Sequence, residues 1–463
     1  MKQIQFYHRF DDSNVNFDEI LNWYKGEKSS LENSNAELYD IALDENNSIK
    51  ILGQGSNAHA FLIKGKAGAE FDNCVIKVFY PITREKTAFD GTIMQSSILD
   101  DKYRLKSINT SIEDFTERLQ RFINSYDKEI EINNAYADTG RTKVLSSELY
   151  FTSHGICYVS KALGGELLSD YVKKDLKLAD YLDIASKMLN DIAVYNEKNT
   201  IHADVKPDNF WCVNLDTNLS KESRFIPAIT RSLDFGSICN IDSLIKNIKG
   251  EFSIKTPEDV DSVIEYIKDI EDLNLLFFES TGKYYSQKTQ NEIVKMIVFD
   301  YIDGKMTNDI IQILLALDIV AVLKLLYYQL LGDSDSTIWK EHYEKNKTRL
   351  FTELVGDKAS FKAYHIASIL KKLFDTCSII DSITYKTNLA SVAIFNLDEV
   401  KSCVNDLFEM VTNPNTYVRN HCNLEEYDDL LCDDDTPLTM REMVKKYGIE
   451  RLPADLITDI LIE

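Results

Sequence analysis

Basic residues are the first shortage in this chain: 52 lysines and arginines stand against 75 aspartates and glutamates, a formal charge of -23 at pH 7. Such a surface repels phosphate backbones and anionic lipid, so nucleic acid and membrane surfaces are poor partners. The same balance suits a basic protein substrate, and it also keeps a protein soluble. Paired cysteines are missing too. The eight cysteines (Cys74, Cys157, Cys212, Cys239, Cys377, Cys403, Cys422 and Cys432) include no Cys-x-x-Cys pair, and no histidine cluster lies beside them. That spacing argues against a zinc site or a disulfide scaffold and for a reducing compartment. The opening run MKQIQFYHRFDD carries no apolar core of the kind a signal peptide needs, so a cytoplasmic location is the expectation. Proline is scarce, at seven residues, and no long Pro/Gly/Ser linker or internal repeat interrupts the chain. Compact structure is expected through most of it.

What the chain does have is apolar material for a sizeable core, 44% of its 463 residues, a length that allows roughly two to four domains. The longest apolar run, Ile310 to Gly332, is interrupted by Gln312, Asp318, Lys324 and Gln329. Charges at the centre of a lone membrane span are costly, whereas a helix apolar on nearly all sides is what a buried central helix looks like, so no membrane span is expected. Residues 1–46 are mixed and polar and read as an N-terminal extension. From Ser48 the pattern turns to short apolar runs: 48–52 as a strand, Gly53-Gln-Gly55 opening a turn, 60–63 as the returning strand, and 74–80 as a third strand carrying a lone Lys77. Two glycines let a hairpin backbone approach a phosphate closely, although an ordinary hairpin would use them equally well. A helix over about 111–138 places Phe115, Leu119, Phe122 and Tyr126 in one stripe. By helical geometry Glu129 falls about 50° from the centre of that stripe and Glu131 on nearly the opposite face. A carboxylate on an otherwise apolar face needs a partner when buried, and Lys77 is the candidate.

The stretch richest in chemistry is His202-Ala-Asp-Val-Lys-Pro-Asp-Asn209, followed by Asp234-Phe-Gly236. Asp204 can take a proton from a hydroxyl, Lys206 can neutralise a phosphate, and Asn209 and Asp234 can hold a divalent metal. Phosphoryl transfer asks a protein mostly for positioning and charge neutralisation, and these groups supply both. Either piece alone could be no more than a turn, with Pro207 setting the bend. Taken together and in this order, they resemble the catalytic loop and the metal-binding triplet of protein kinases. The run Gly250 to Glu258 resembles the end of a kinase activation segment. Cys157 to Val172 resembles the connector between kinase lobes, and Asp318 to Gly332 the central helix of the large lobe.

The resemblance implies an α+β protein of two lobes. Residues 47–160 would form the small lobe, with an insert at about 81–109. Residues 161–419 would form the large lobe, with an insert at about 259–309 that is a candidate surface for recruiting substrate or for regulation. Residues 420–463 would be an acidic, helical tail. ATP and Mg²⁺ (or Mn²⁺) would sit between the lobes. The resemblance assigns nucleotide contacts to Gly53, Gly55, Ala58 and Ala60 in the glycine-rich loop, to Lys77 held by Glu129, to Ser160 behind the base, and to backbone groups of Lys161 and Leu163. Asn209 and Asp234 would bind metal, and Asp204 would orient and deprotonate the acceptor while Lys206 neutralises the moving phosphoryl group. Asp318 would accept backbone N–H bonds from the catalytic loop, and Glu258 would pair with Arg419.

Departures from the family carry expectations of their own. Ala58 stands for the third loop glycine and Ala60 for the valine over adenine, which should weaken nucleotide binding. Ala203 replaces the arginine that receives an activation-loop phosphate, so activity should not depend on such a switch. Glu251 stands where Ser/Thr kinases carry a threonine; it could pair with Lys206 or repel an acidic substrate. The Lys-Pro after Asp204 looks like Ser/Thr rather than tyrosine kinases. The divergent loops and inserts are similar to those of bacterial effector-type kinases that act inside host cells. Two other readings stay open: a pseudokinase scaffold that binds partners without transfer, and a small-molecule phosphotransferase, a class that usually lacks a lysine at the Lys206 position.

Overall fold

The computed structural model describes residues 5–10, 17–26, 39–40, 49–54, 58–63, 74–79, 82–86, 93–97, 112–136, 148–152, 155–161, 166–173, 176–213, 229–232, 237–251, 283–303, 308–332, 339–356, 361–387 and 396–413. These form an α+β protein, mostly helical with antiparallel sheets, and the chain divides into two units, Met1–Gly164 and Gly165–Glu463.

The first unit is built on a seven-stranded antiparallel sheet. In chain order its strands are β1 (Gln5–Phe10), β2 (Tyr39–Asp40), β3 (Ile49–Gln54), β4 (Ala58–Ile63), β5 (Cys74–Phe79), β8 (Glu148–Thr152) and β9 (Gly155–Lys161), and across the sheet the order is β2-β1-β8-β9-β5-β4-β3. Strand geometry sends alternate side chains to opposite faces. Ala58, Ala60, Lys77, Phe79 and Tyr158 therefore share one face, since Ala58 pairs with Phe79, Ala60 with Lys77, and Lys77 with Tyr158. The Ile112–Tyr136 helix covers that face. Phe115, Leu119, Phe122, Ile123 and Tyr126 are buried, while Glu117, Gln120, Arg121, Asn124 and Asp127 are exposed, a 3.6-residue period with one apolar side. Phe79 meets Phe115 and Phe122 at ring separations of 5.6 and 5.3 Å, the distances of favourable edge and tilted packing.

Within the stretch 1–46, read above as an extension, the described residues include a strand and a helix that pack in the first unit. Strand β1 pairs antiparallel with β8, with Arg9 opposite Tyr150 and Phe10 opposite Leu149. The Phe17–Tyr24 helix buries Ile20 and Tyr24 in the core, and the Tyr24 hydroxyl accepts a hydrogen bond from Ile156 N–H at 2.9 Å. The stretch read as an insert at 81–109 contains a hairpin of its own, β6 (Ile82–Lys86) against β7 (Ile93–Ser97).

In the second unit the Asn308–Leu331 helix is the centre. Residues 316–328 are buried on every side, because the Leu178–Asn196, Trp339–Val355 and Phe361–Ile380 helices all pack against it. Among the described residues it is the one helix long and apolar enough to cross a membrane, and most of it is buried inside the protein. Its Tyr327 ring meets Trp339, Phe374 and Tyr343 at 4.5, 5.4 and 5.6 Å, a knot that joins three helices. Lys324, fully buried, pairs with Asp381 at 2.6 Å and donates to the Tyr284 carbonyl at 3.0 Å. The Leu178–Asn196 helix begins where the Asp180 carboxylate reaches back to Lys177 N–H at 2.8 Å, satisfying a free amide of the first turn. The Leu397–Thr412 helix packs along it and is capped by Asn396, whose side chain accepts from Asp398 N–H.

Candidate active site

The loop 202–209 lies in the second unit between the short strand Thr200–Ile201 and the strand Phe210–Val213. Its backbone is held by Asp318 of the central helix. His202 N–H donates to Asp318 Oδ2 at 2.6 Å and Ala203 N–H to Asp318 Oδ1 at 3.1 Å. The charge in the middle of the apolar run thus has the partners expected of it, in bonds to a charged acceptor worth about 1.5–3 kcal/mol each. Between them Ala203 takes φ 62°, the left-handed region that an L side chain enters at about 1–2 kcal/mol. That conformation persists because its neighbours are fixed: His202 is fully buried and stacks on Phe210 at 6.0 Å. Burial pushes the Asp318 carboxyl above the usual carboxylate range, and the charge of His202 together with the bonds it accepts opposes that rise.

On this frame Asp204 and Asn209 are both buried, and Lys206 is half-buried. Asp204 Oδ2 accepts from Lys206 Nζ at 2.6 Å and from Asn209 Nδ2 at 2.7 Å; the same amide also donates to the Asp204 carbonyl at 2.9 Å. The 3-10 turn Pro207–Asn209 sets Asn209 in this place. Asp204 Oδ1 is buried and takes no hydrogen bond within the described residues. A buried carboxylate oxygen left without a donor is unfavourable by about 1–3 kcal/mol or more, so among the described residues Oδ1 is an open acceptor position. The Asn209 amide spends its nitrogen on Asp204, which leaves its oxygen, a hard ligand of the kind Mg²⁺ takes. Among the described residues no group of three or more His, Cys, Asp or Glu forms a metal cage. Mg²⁺ that completes its shell with phosphate oxygens and water needs no such cage.

Asp191 is a residue that sequence reasoning missed. It is buried on the Leu178–Asn196 helix and its Oδ2 accepts from both the backbone N–H (2.9 Å) and the hydroxyl of Ser232, whose hydroxyl also meets Tyr195 OH at 2.6 Å. This ties down the strand Ile229–Ser232 that leads into Asp234. A carboxylate within the apolar second half of the helix was the available signal, since such a group demands a partner when buried.

In the first unit Lys77 Nζ stands 5.3 Å from the centre of the Tyr158 ring, its cross-strand neighbour. Phe122 and Tyr126 meet the same ring at 5.5 and 5.8 Å. Glu129 follows Phe122 by about two turns on that side of the helix and is buried, at 8% exposure. Lys77 and Glu129 thus belong to the same covered face. Ser160 is buried opposite Val75, and Lys161 ends β9 opposite Cys74. Gly53 lies in β3, opposite Ala60. Gly55, Leu163, Asp234, Glu258 and Arg419 lie outside the described residues. Gly250 and Glu251, the start of the run that resembles the end of a kinase activation segment, close the Ile241–Glu251 helix. The chain matches no known protein-family model and no curated protein.

Proposed function

We propose that this protein is a two-lobed kinase that transfers the γ-phosphoryl group of ATP to a serine or threonine hydroxyl of a protein. The observation that carries this reading is Asp204: a buried carboxylate with one oxygen bound by Lys206 and Asn209 and the other unpartnered among the described residues. Asp204 Oδ1 accepts the proton of the acceptor hydroxyl as its oxygen bonds to the γ-phosphorus and the bond to the ADP oxygen breaks. A positioned base of this kind contributes about 10²–10⁴ in rate. Lys206, within reach of the same carboxylate, neutralises charge on the moving group. Lys77, on the face shared with Glu129, binds nucleotide phosphate. Asn209 and Asp234 would hold Mg²⁺, which would neutralise phosphate charge. Ala203 is buried and uncharged, so no loop phosphate is needed to set the site. The acidic balance of the chain favours basic protein acceptors.

Incubation with Mg²⁺ and ATP labelled at the γ-phosphate, in parallel with α-labelled ATP, tests the reaction class. Basic and neutral proteins serve as acceptors. γ-Label on protein, abolished in Lys77→Ala and in Asp234→Ala, is the expected result. ATP binding without transfer would mean a scaffold, transfer to small molecules alone another phosphotransferase, and α-label on protein a nucleotidyl transferase.

A further inference from the structure

Tyr285 lies in the stretch 259–309, set apart above as an insert, yet it is buried against the catalytic loop. Its hydroxyl donates to Asp318 Oδ1 at 2.7 Å and accepts from Val205 N–H at 3.0 Å. Val205 follows Asp204 directly, so the backbone on both sides of the proposed base is fixed: Ala203 N–H by Asp318, Val205 N–H by Tyr285, with Tyr285 itself bonded to Asp318. We propose that Tyr285 is a positioning residue for phosphoryl transfer, holding the backbone that carries Asp204 in register from the side opposite Ala203. This rests on the kinase reading above.

Three observations support a dedicated brace. The turn that presents the tyrosine is itself anchored: the Tyr284 carbonyl takes a bond from buried Lys324, and Lys283 Nζ stands 4.0 Å over the Tyr328 ring. Lys324 and Asp318 belong to the same helix, so the two ends of the brace share one rigid support. Burial beside Asp318 pushes the Tyr285 hydroxyl well above its ordinary range, which keeps it protonated as the donor Asp318 needs. Without the hydroxyl, Val205 N–H loses its acceptor among the described residues and Asp204 gains freedom to drift. Catalytic groups displaced by about 1 Å lose on the order of 10²-fold in rate.

Tyr285→Phe removes only the hydroxyl. Tyr343→Phe is the control, because Tyr343 is a buried tyrosine whose hydroxyl donates to a carboxylate, Asp375, at 2.8 Å and belongs to no part of the proposed site. The expected result for Tyr285→Phe is a kcat lower by about 10- to 100-fold with KM for ATP changed by less than about threefold. Amide hydrogen exchange across 200–210 should be faster by about tenfold or more. Tyr343→Phe should show neither change. Wild-type kcat and wild-type exchange in Tyr285→Phe, or equal losses in both variants, would overturn the proposal. If wild-type protein transfers no γ-label, the kinase reading and the rate role fall together. The exchange measurement needs no turnover and separates that outcome from a failure of the brace itself.

Discussion

Asp318 and Lys324 sit on one helix, both at 0% exposure, and their partners differ in kind. Asp318 is satisfied by the main chain of a loop and by a tyrosine hydroxyl. Lys324 is satisfied by a carboxylate at the end of another helix and by one carbonyl. The difference separates two uses of a buried charge. A charge bonded to several amides of one loop selects a backbone conformation, here one that includes a left-handed alanine beside Asp204. A charge bonded to an opposite charge on a distant segment selects a packing of helices. The turn at Tyr284–Tyr285 touches both systems, through its carbonyl on one side and its hydroxyl on the other.

Lys324→Met should give the largest change in stability. It leaves Asp381 charged and buried without its partner, a loss of about 3–5 kcal/mol in denaturant unfolding. Turnover per folded molecule should fall less than in Asp318→Asn; the reverse order would erase the distinction between the two charges. Asp318→Asn replaces one acceptor oxygen with a donor that faces backbone N–H. Stability should drop by about 1.5–3 kcal/mol, and turnover should fall further than the stability loss explains. Ser232→Ala, which deprives Asp191 of a hydroxyl donor, should cost about 0.5–1.5 kcal/mol in the same unfolding experiment. The smallest effect comes from the burial of two histidines. Burial lowers the pKa of His59 and His365 below 6.5, so at these two positions the fold binds fewer protons than the unfolded chain. Their stabilisation is complete above about pH 6.5 and is lost as pH falls below it. Tm should therefore be lower at pH 5.5 than at pH 7.5, and His365→Asn should narrow that gap; an unchanged gap would contradict the assignment.

Local signals were legible in the sequence and distant ones were not. The strands β3, β4 and β5 and the central helix with its embedded aspartate all carry their evidence within a few turns of chain, although β3 runs on through Gly53, read as the opening of a turn. The loop 202–209 is compact enough that Asp204, Lys206 and Asn209 could be read as a set. Tyr285 could not, because its partners Val205 and Asp318 lie on other elements and its neighbours resemble an ordinary insert. Asp191 was passed over for the same reason. The Phe17–Tyr24 helix was legible in principle: Phe17, Ile20, Leu21 and Tyr24 repeat at helical spacing. The polar residues around them hid a strand and helix whose partners, Glu148–Thr152 and Ile156, stand far along the chain.

Asp204→Asn tests the central claim most directly, since it keeps the shape of the side chain and removes the base. Turnover with γ-labelled ATP should fall by about 10²–10⁴, while ATP affinity measured without transfer stays within about threefold of wild type. Unchanged turnover, or loss of ATP binding in this variant, would contradict the account.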